Sequence, residues 1–120
     1  VSSIRLVLTT LPDAEIAGAV ARSLVEAGLA ACVNILPACR SVYRWQGDVR
    51  EDGEVPLFIK TTAELYPALE TYLRSRHPYE LPEILALDVA AGLHDYLEWV
   101  SRSTAIRTAD SAPAASAGQA

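Results

Sequence analysis

Between residues 4 and 10 the chain alternates, with Ile4, Leu6 and Leu8 on one side and Arg5, Val7 and Thr9 on the other, the two-residue period of a strand. Pro12 stops it. Asp13 is placed to cap the next stretch, 14–27, where Ile16, Val20 and Leu24 recur every four residues beside Ala17, Ala21 and Val25. Gly28 stands where a helix closes through a left-handed residue, so this stretch is predicted to be an amphipathic helix. Residues 30–49 read as one long extended stretch, β-rich at Cys32, Val33, Ile35, Val42, Tyr43 and Trp45. It must bend or lie at an edge at Pro37, because proline brings no ladder donor. The polar run 47–53 (GDVREDG) reads as a hairpin connection, and 54–62 as the returning strand, with Leu57 and Ile59 opposed to Phe58 and Lys60.

Thr62 is set to cap a second helix over 63–75, striped by Leu65, Leu69 and Leu73, with Pro67 removing a donor in its early turns. Residues 77–82 (HPYELP) form a loop stiffened at both ends by proline. A strand over 83–91 follows, then Gly92, then a third helix over 93–106 carrying Leu93, Leu97 and Val100. Residues 108–120 are rich in Ala and Ser without a periodic apolar face, which predicts a flexible tail behind a single domain of residues 1–107. The order is β-α-β-β-α-β with an extra C-terminal helix. Two right-handed crossovers in that order give an antiparallel sheet with helices on one face, an α+β sandwich of the ferredoxin-like type. The other face stays open and invites an oligomer.

Composition narrows the function. The 120 residues are enough for one domain with its own core. Fifteen acidic against ten basic residues leave a net charge of −5 with no run of Lys or Arg, which argues against a nucleic-acid partner. No window approaches the ~18 apolar residues of a membrane span, and the first residues lack the pattern of a signal peptide. No membrane association is expected. Cys32 and Cys39 make no disulfide framework: on one strand they would stand roughly 23 Å apart on opposite faces. The expected setting is reducing and cytoplasmic.

The ferredoxin-like fold hosts several chemistries, and each needs its own residues. The first loop, Thr10-Leu11-Pro12-Asp13, has no Cys-x-x-Cys pair for a soft metal and no glycine to cradle phosphate. The aromatic residues lie at the far end of the second strand, in a chain of net charge −5, which sets an RNA-binding sheet aside. Neither a P-loop nor a Gly-x-Ser-x-Gly element is present, so the chain does not read as an enzyme. Unspent chemistry gathers in three places. Tyr43, Trp45 and Gln46 end the long strand; Glu54 and Lys60 on the returning strand read as solvated charges or a surface ion pair; His77, Tyr79, Glu80 and Glu83 fill the Pro-bounded loop. Neutral imidazole ligates copper or zinc, so His77 is the candidate metal ligand, against the plainer reading that it bonds a backbone carbonyl and sets the loop. Cys32 reads as a small packed hydrophobe, Cys39 beside Arg40 as the more reactive thiol, and His94 as a residue of the helix start. Tyr96 and Trp99 read as core or interface anchors.

Taken together, LAACVNILP (29–37), SVYRWQG (41–47), Glu54-Val55, IKTT (59–62), HPYELPEI (77–84) and DYLEW (95–99) resemble the CutA divalent-cation-tolerance family over residues 4–103. The resemblance implies a ferredoxin-like homotrimer, similar in architecture to the P-II signalling proteins, that binds or responds to divalent cations such as Cu(II), with no cofactor required. It also implies a cleft between subunits lined by Tyr43, Trp45, Lys60, His77, Tyr79, Glu80, Glu83 and Trp99. The sequence departs from the metal-binding pattern of some bacterial members at two positions, Thr9 in place of Cys and Arg76 in place of a second His. The alternative is a P-II-like module that holds a small ligand in the cleft, with metal incidental. Lys60 and Arg76 favour an anion there; Glu80 and Glu83 favour a cation.

Overall fold

The computed structural model describes residues 3–105. The elements follow as β1 (Ile4–Leu11), α1 (Ala14–Glu26), β2 (Cys32–Ile35), β3 (Cys39–Trp45), β4 (Asp48–Thr62), α2 (Tyr66–Arg76), β5 (Ile84–Asp88) and α3 (His94–Arg102). The sheet is antiparallel throughout, in the order β2-β4-β1-β5, and β3 pairs with the outer part of β4. Those four strands with α1 and α2 are the ferredoxin-like α+β arrangement read from the pattern. The flexible tail assigned to 108–120 lies outside the described residues.

The long stretch 30–49 is two strands rather than one. Ile35 stands opposite Leu57 and Cys39 opposite Glu54, so residues 36–38 on one side face only 55 and 56 on the other. The extra residue bends the chain at Pro37, as its missing donor requires, and the ladder is carried past by Leu36 N–H on Pro56 O at 3.0 Å. The turn that follows also departs from the sequence reading. It is the pair Gln46-Gly47, with φ of 49° and 87°, and β4 already begins at Asp48. Two consecutive positive φ values make the tight turn whose twist suits a hairpin. The polar run looked like loop because both faces of this ribbon are wet and no apolar alternation marks it.

Local signals placed α1 well. Asp13 accepts the Ile16 N–H at 2.8 Å, and Gly28 takes a φ of 76° just beyond the last turn. Helix α2 begins at Tyr66, later than expected, because Thr62 Oγ1 accepts from Leu65 N–H at 3.2 Å and closes a separate turn first. Pro67 then falls in the first turn, where an absent N–H costs nothing. Strand β5 ends at Asp88 instead of 91: the last ladder pair is Arg5 with Asp88, and Val89 N–H then donates to Ile4 O at 3.0 Å. Helix α3 ends at Arg102 and the chain turns, with Ala105 N–H donating to Gly28 O at 2.8 Å; Ile106 lies outside the described residues.

Residues directly opposed across antiparallel strands share a face. The row Val33, Ile59, Val7 and Ala86 therefore looks one way, into a core closed by Val20 and Leu24 of α1 and Leu69 and Leu73 of α2. The alternate rows, Cys32–Lys60–Leu6–Leu87 and Asn34–Phe58–Leu8–Leu85, look the other way. Helix α3 packs across β4 and β1 and buries Val100, but Phe58, Leu85 and Leu87 remain exposed on that face.

Candidate functional site: the groove between hairpin and loop

Beyond Val55, β4 leaves its partner β1 and continues with β3 as a hairpin. The loop after α2 lies alongside. Between them is a groove of about 940 Å³, with walls from Tyr43 and Trp45 on β3, Asp52 and Glu54 on β4, and Tyr79 and Glu83 from the loop.

His77 sets the loop wall. It is 8% exposed. Its Nε2–H donates to Thr10 O at 2.8 Å at the end of β1, and its Nδ1 accepts from Tyr79 N–H at 3.2 Å. The ring also lies 4.9 Å from that of Tyr79, tilted by 53°. One imidazole thus pins the start of the loop to the sheet and aims Tyr79. Burial lowers the His77 pKa, outweighing the Thr10 hydrogen bond and the nearby Glu54 charge that pull it up. The neutral tautomer that serves both bonds is the stable one.

The groove is acidic and aromatic. Tyr43 donates its hydroxyl to Asp52, which raises its pKa. Tyr79 is pushed up to about 12, first by burial and then by the negative field of Glu54 and Asp52. Both phenols therefore stay neutral at physiological pH. Arg44 is turned toward the hairpin tip, bonding Gly47 O at 3.1 Å.

Of the residues expected in a cleft, Tyr43, Trp45, Tyr79, Glu80 and Glu83 line this groove, with His77 directly behind Tyr79. Within one protomer Lys60 and Trp99 lie elsewhere. Lys60 bonds Asn34 and approaches Cys32 Sγ at 3.9 Å on the open sheet face, and Trp99 stacks on Tyr96 at 5.6 Å. Arg76, expected to favour an anion, sits over the Tyr72 ring at 4.2 Å and is not part of the groove wall. Cys32 is half-buried beside Lys60 and Tyr96 rather than packed as a plain hydrophobe. Cys39 is half-buried near Ser41, and Arg40 beside it in sequence pairs with Glu51 at 2.8 Å. His94 opens α3 and pairs with Glu98 at 3.3 Å, in keeping with a helix-start role. Glu54 is the residue the sequence reading undervalued. It makes no pair with Lys60; the residue is 9% exposed and lines the groove. The available signal was its position, an acid standing immediately before the buried run Val55-Pro56-Leu57.

As arranged, the surroundings of His77 offer a metal little. Both ring nitrogens are occupied, Thr9 presents a buried hydroxyl without a partner, and the three-residue group of potential ligand atoms that converges among the described residues is His94, Asp95 and Glu98 on α3, not at His77. A cation would first have to displace the Tyr79 N–H from Nδ1, the longer of the two bonds.

The antiparallel order, the two helices on one face and the groove beside the hairpin place the chain among small ferredoxin-like α+β proteins. Comparison with known proteins narrows this. Residues 5–103 match the family described as CutA1 divalent ion tolerance protein. The divalent-cation tolerance protein CutA of Thermus thermophilus is 48% identical over 99 residues, covering 82% of this chain and 96% of that one. Human Protein CutA is 45% identical over 102 residues, covering 85% of this chain and 57% of the human protein, so this chain spans little more than half the length of that relative. Among solved structures, the Thermus thermophilus protein superposes with a TM-score of 0.83 at 47% identity over 85% of this chain and 99% of that one. CutA1 from Oryza sativa superposes with a TM-score of 0.84 at 40% identity, over 87% and 95% of the two chains. The chain belongs to the CutA1 divalent ion tolerance family. The family and the Thermus thermophilus relative are named for divalent-cation tolerance and not for an enzymatic activity, and no helix among the described residues is long and apolar enough to cross a membrane.

Proposed function

We propose that this chain is a non-enzymatic, cytoplasmic homotrimer that serves in divalent-cation tolerance by binding a small ligand in the groove, which assembly converts into a cleft between subunits. The observation that carries this reading is the open sheet face. Leu85 and Leu87 are 54% and 46% exposed, and Phe58 stands beside them, on a surface a lone domain would have to leave in water. A neighbour packed there buries these side chains and brings its own elements to the groove, which is how Lys60 and Trp99 would enter a shared cleft. Free thiols at Cys32 and Cys39 suit a reducing compartment. Native mass spectrometry tests the assembly: the wild type is expected as a trimer, and the double variant Phe58→Glu, Leu87→Glu as a monomer. A monomeric wild type would defeat the reading.

A second reading has one observation in its favour. The name of the family points to a divalent ion, and the 3.2 Å bond at His77 Nδ1 is the one a metal would replace. Cu(II) occupancy measured on wild type and His77→Ala decides it. Saturable copper lost in the variant places metal at the loop; weak adducts alike in both proteins leave the ligand-binding cleft as the working site.

A further inference from the structure

Cys32 and Lys60 stand directly opposite each other in the ladder between β2 and β4, so their side chains share one face of the sheet, the face that α3 crosses. Lys60 is the one lysine among the 120 residues. Its Nζ donates to Asn34, two residues further along β2, and lies 3.9 Å from Cys32 Sγ. The Tyr96 hydroxyl, on α3, hydrogen-bonds to the same sulfur. Three elements thus hold an amine against a thiol. Cys39 is the contrast. It is likewise half-buried, but its sulfur meets Ser41 Oγ at 3.8 Å, and Arg40 beside it in sequence is paired with Glu51.

Sulfur chemistry says what such a pair can do. A thiolate attacks peroxide and becomes a sulfenic acid, which condenses with a thiol or a nitrogen placed against it. The nitrogen in contact with Cys32 is Nζ, and an amine can shed its proton to become a nucleophile where a guanidinium cannot. Cys32 is half-buried, which leaves its sulfur open to a molecule as small as peroxide.

We propose that Cys32 and Lys60 form a reversible covalent link, a sulfenamide between Sγ and Nζ, when the protein meets hydrogen peroxide. First, Cys32 Sγ gives an electron pair to one peroxide oxygen; the O–O bond breaks and the other oxygen leaves as water, so sulfur is oxidised and peroxide reduced. Next, Lys60 Nζ, its ammonium proton passed to solvent, attacks the sulfur; the S–O bond breaks and the hydroxyl leaves with a further amine proton as water. In sum, a thiol, an ammonium and a peroxide become one S–N bond, two waters and a proton. A cellular thiol reverses it by attacking the sulfur and releasing the amine, and a second thiol frees Cys32 from the mixed disulfide. The bond needs only one protomer. Its consequence, loss of the Lys60 charge from the cleft, rests on the assembly proposed above.

Endoproteinase Lys-C cuts after lysine and so has one site in this chain, which makes it the test. Full-length wild type is treated with hydrogen peroxide, capped with iodoacetamide, unfolded and digested. Peroxide is expected to abolish most cleavage at Lys60 and to leave the chain lighter by two hydrogens, and dithiothreitol to restore both. Cys39→Ser should behave like wild type, which separates the link from a Cys32–Cys39 disulfide of equal mass. Cys32→Ser should be cut with or without peroxide. In Lys60→Arg the sulfur has no amine to condense with, so Cys32 should go on to the sulfinic acid, a gain of two oxygens, several-fold more than in wild type. Cleavage unaffected by peroxide, protection that persists in Cys32→Ser, or equal sulfinic acid in wild type and Lys60→Arg overturns the proposal, whatever the oligomeric state proves to be.

Discussion

Replacing His77 by Ala removes one side chain and breaks two links between the loop and the sheet. The Thr10 carbonyl loses its donor at 2.8 Å, and the Tyr79 N–H loses its acceptor at 3.2 Å. Each such bond contributes about 1 kcal/mol net, more where the abandoned group stays shut from water. The contact of the His77 and Tyr79 rings adds about 1 kcal/mol. Together these give a loss of about 3 kcal/mol, which for a domain of this size lowers the melting temperature by about 10 °C or more. Protein concentration must be equal in the two samples, because an assembling protein melts in a concentration-dependent way. The pH dependence supplies an independent check. The folded pKa of His77 lies below its ordinary value, so the unfolded chain binds the proton more readily. The stability that neutral His77 contributes is therefore complete above the ordinary histidine pKa of about 6.5 and is lost as pH falls through the folded value. His77→Ala should lack this acid-side loss. Thermal unfolding followed by circular dichroism between neutral and mildly acidic pH, with chelator present, measures both effects. A variant as stable as wild type at neutral pH, with the same loss on acidification, would show that the ring does not hold the loop.

Two further outcomes test the local readings. Gly47→Ala should cost about 1 kcal/mol in urea unfolding, because a φ of 87° strains any side chain even though the space around it is open; an unchanged midpoint would contradict the two-residue turn. Asp13→Ala should cost about 1 kcal/mol by freeing the Ile16 N–H, and Asp13→Ser should recover most of it, whereas equal stability of all three would deny the cap its role.

The sequence by itself determined what depends on neighbours a few residues away. Asp13, the four-residue spacing of Ile16, Val20 and Leu24, and Gly28 specify α1 nearly to the residue, since caps and helical faces are local. The order of elements and the bend at Pro37 were likewise legible, from periodicity and turn residues, whereas Tyr43, Trp45, Tyr79, Glu80 and Glu83 were grouped by the family motifs alone, as part of a cleft between subunits. Only the tertiary structure decided the rest, because it depends on pairings between distant segments. The 47–53 run became turn and strand when β3 and β4 paired, and a ribbon wet on both faces leaves no apolar period by which to know it. Lys60 was drawn to Asn34 on the neighbouring strand β2, while Glu54, with the same charge character in the sequence as any surface acid, came to line the groove between the hairpin and the loop. His77 lies sixty-seven residues from Thr10 in sequence, and only the closing of the sheet brings the carbonyl that occupies its nitrogen, so no local pattern distinguishes a bonded imidazole from a free one.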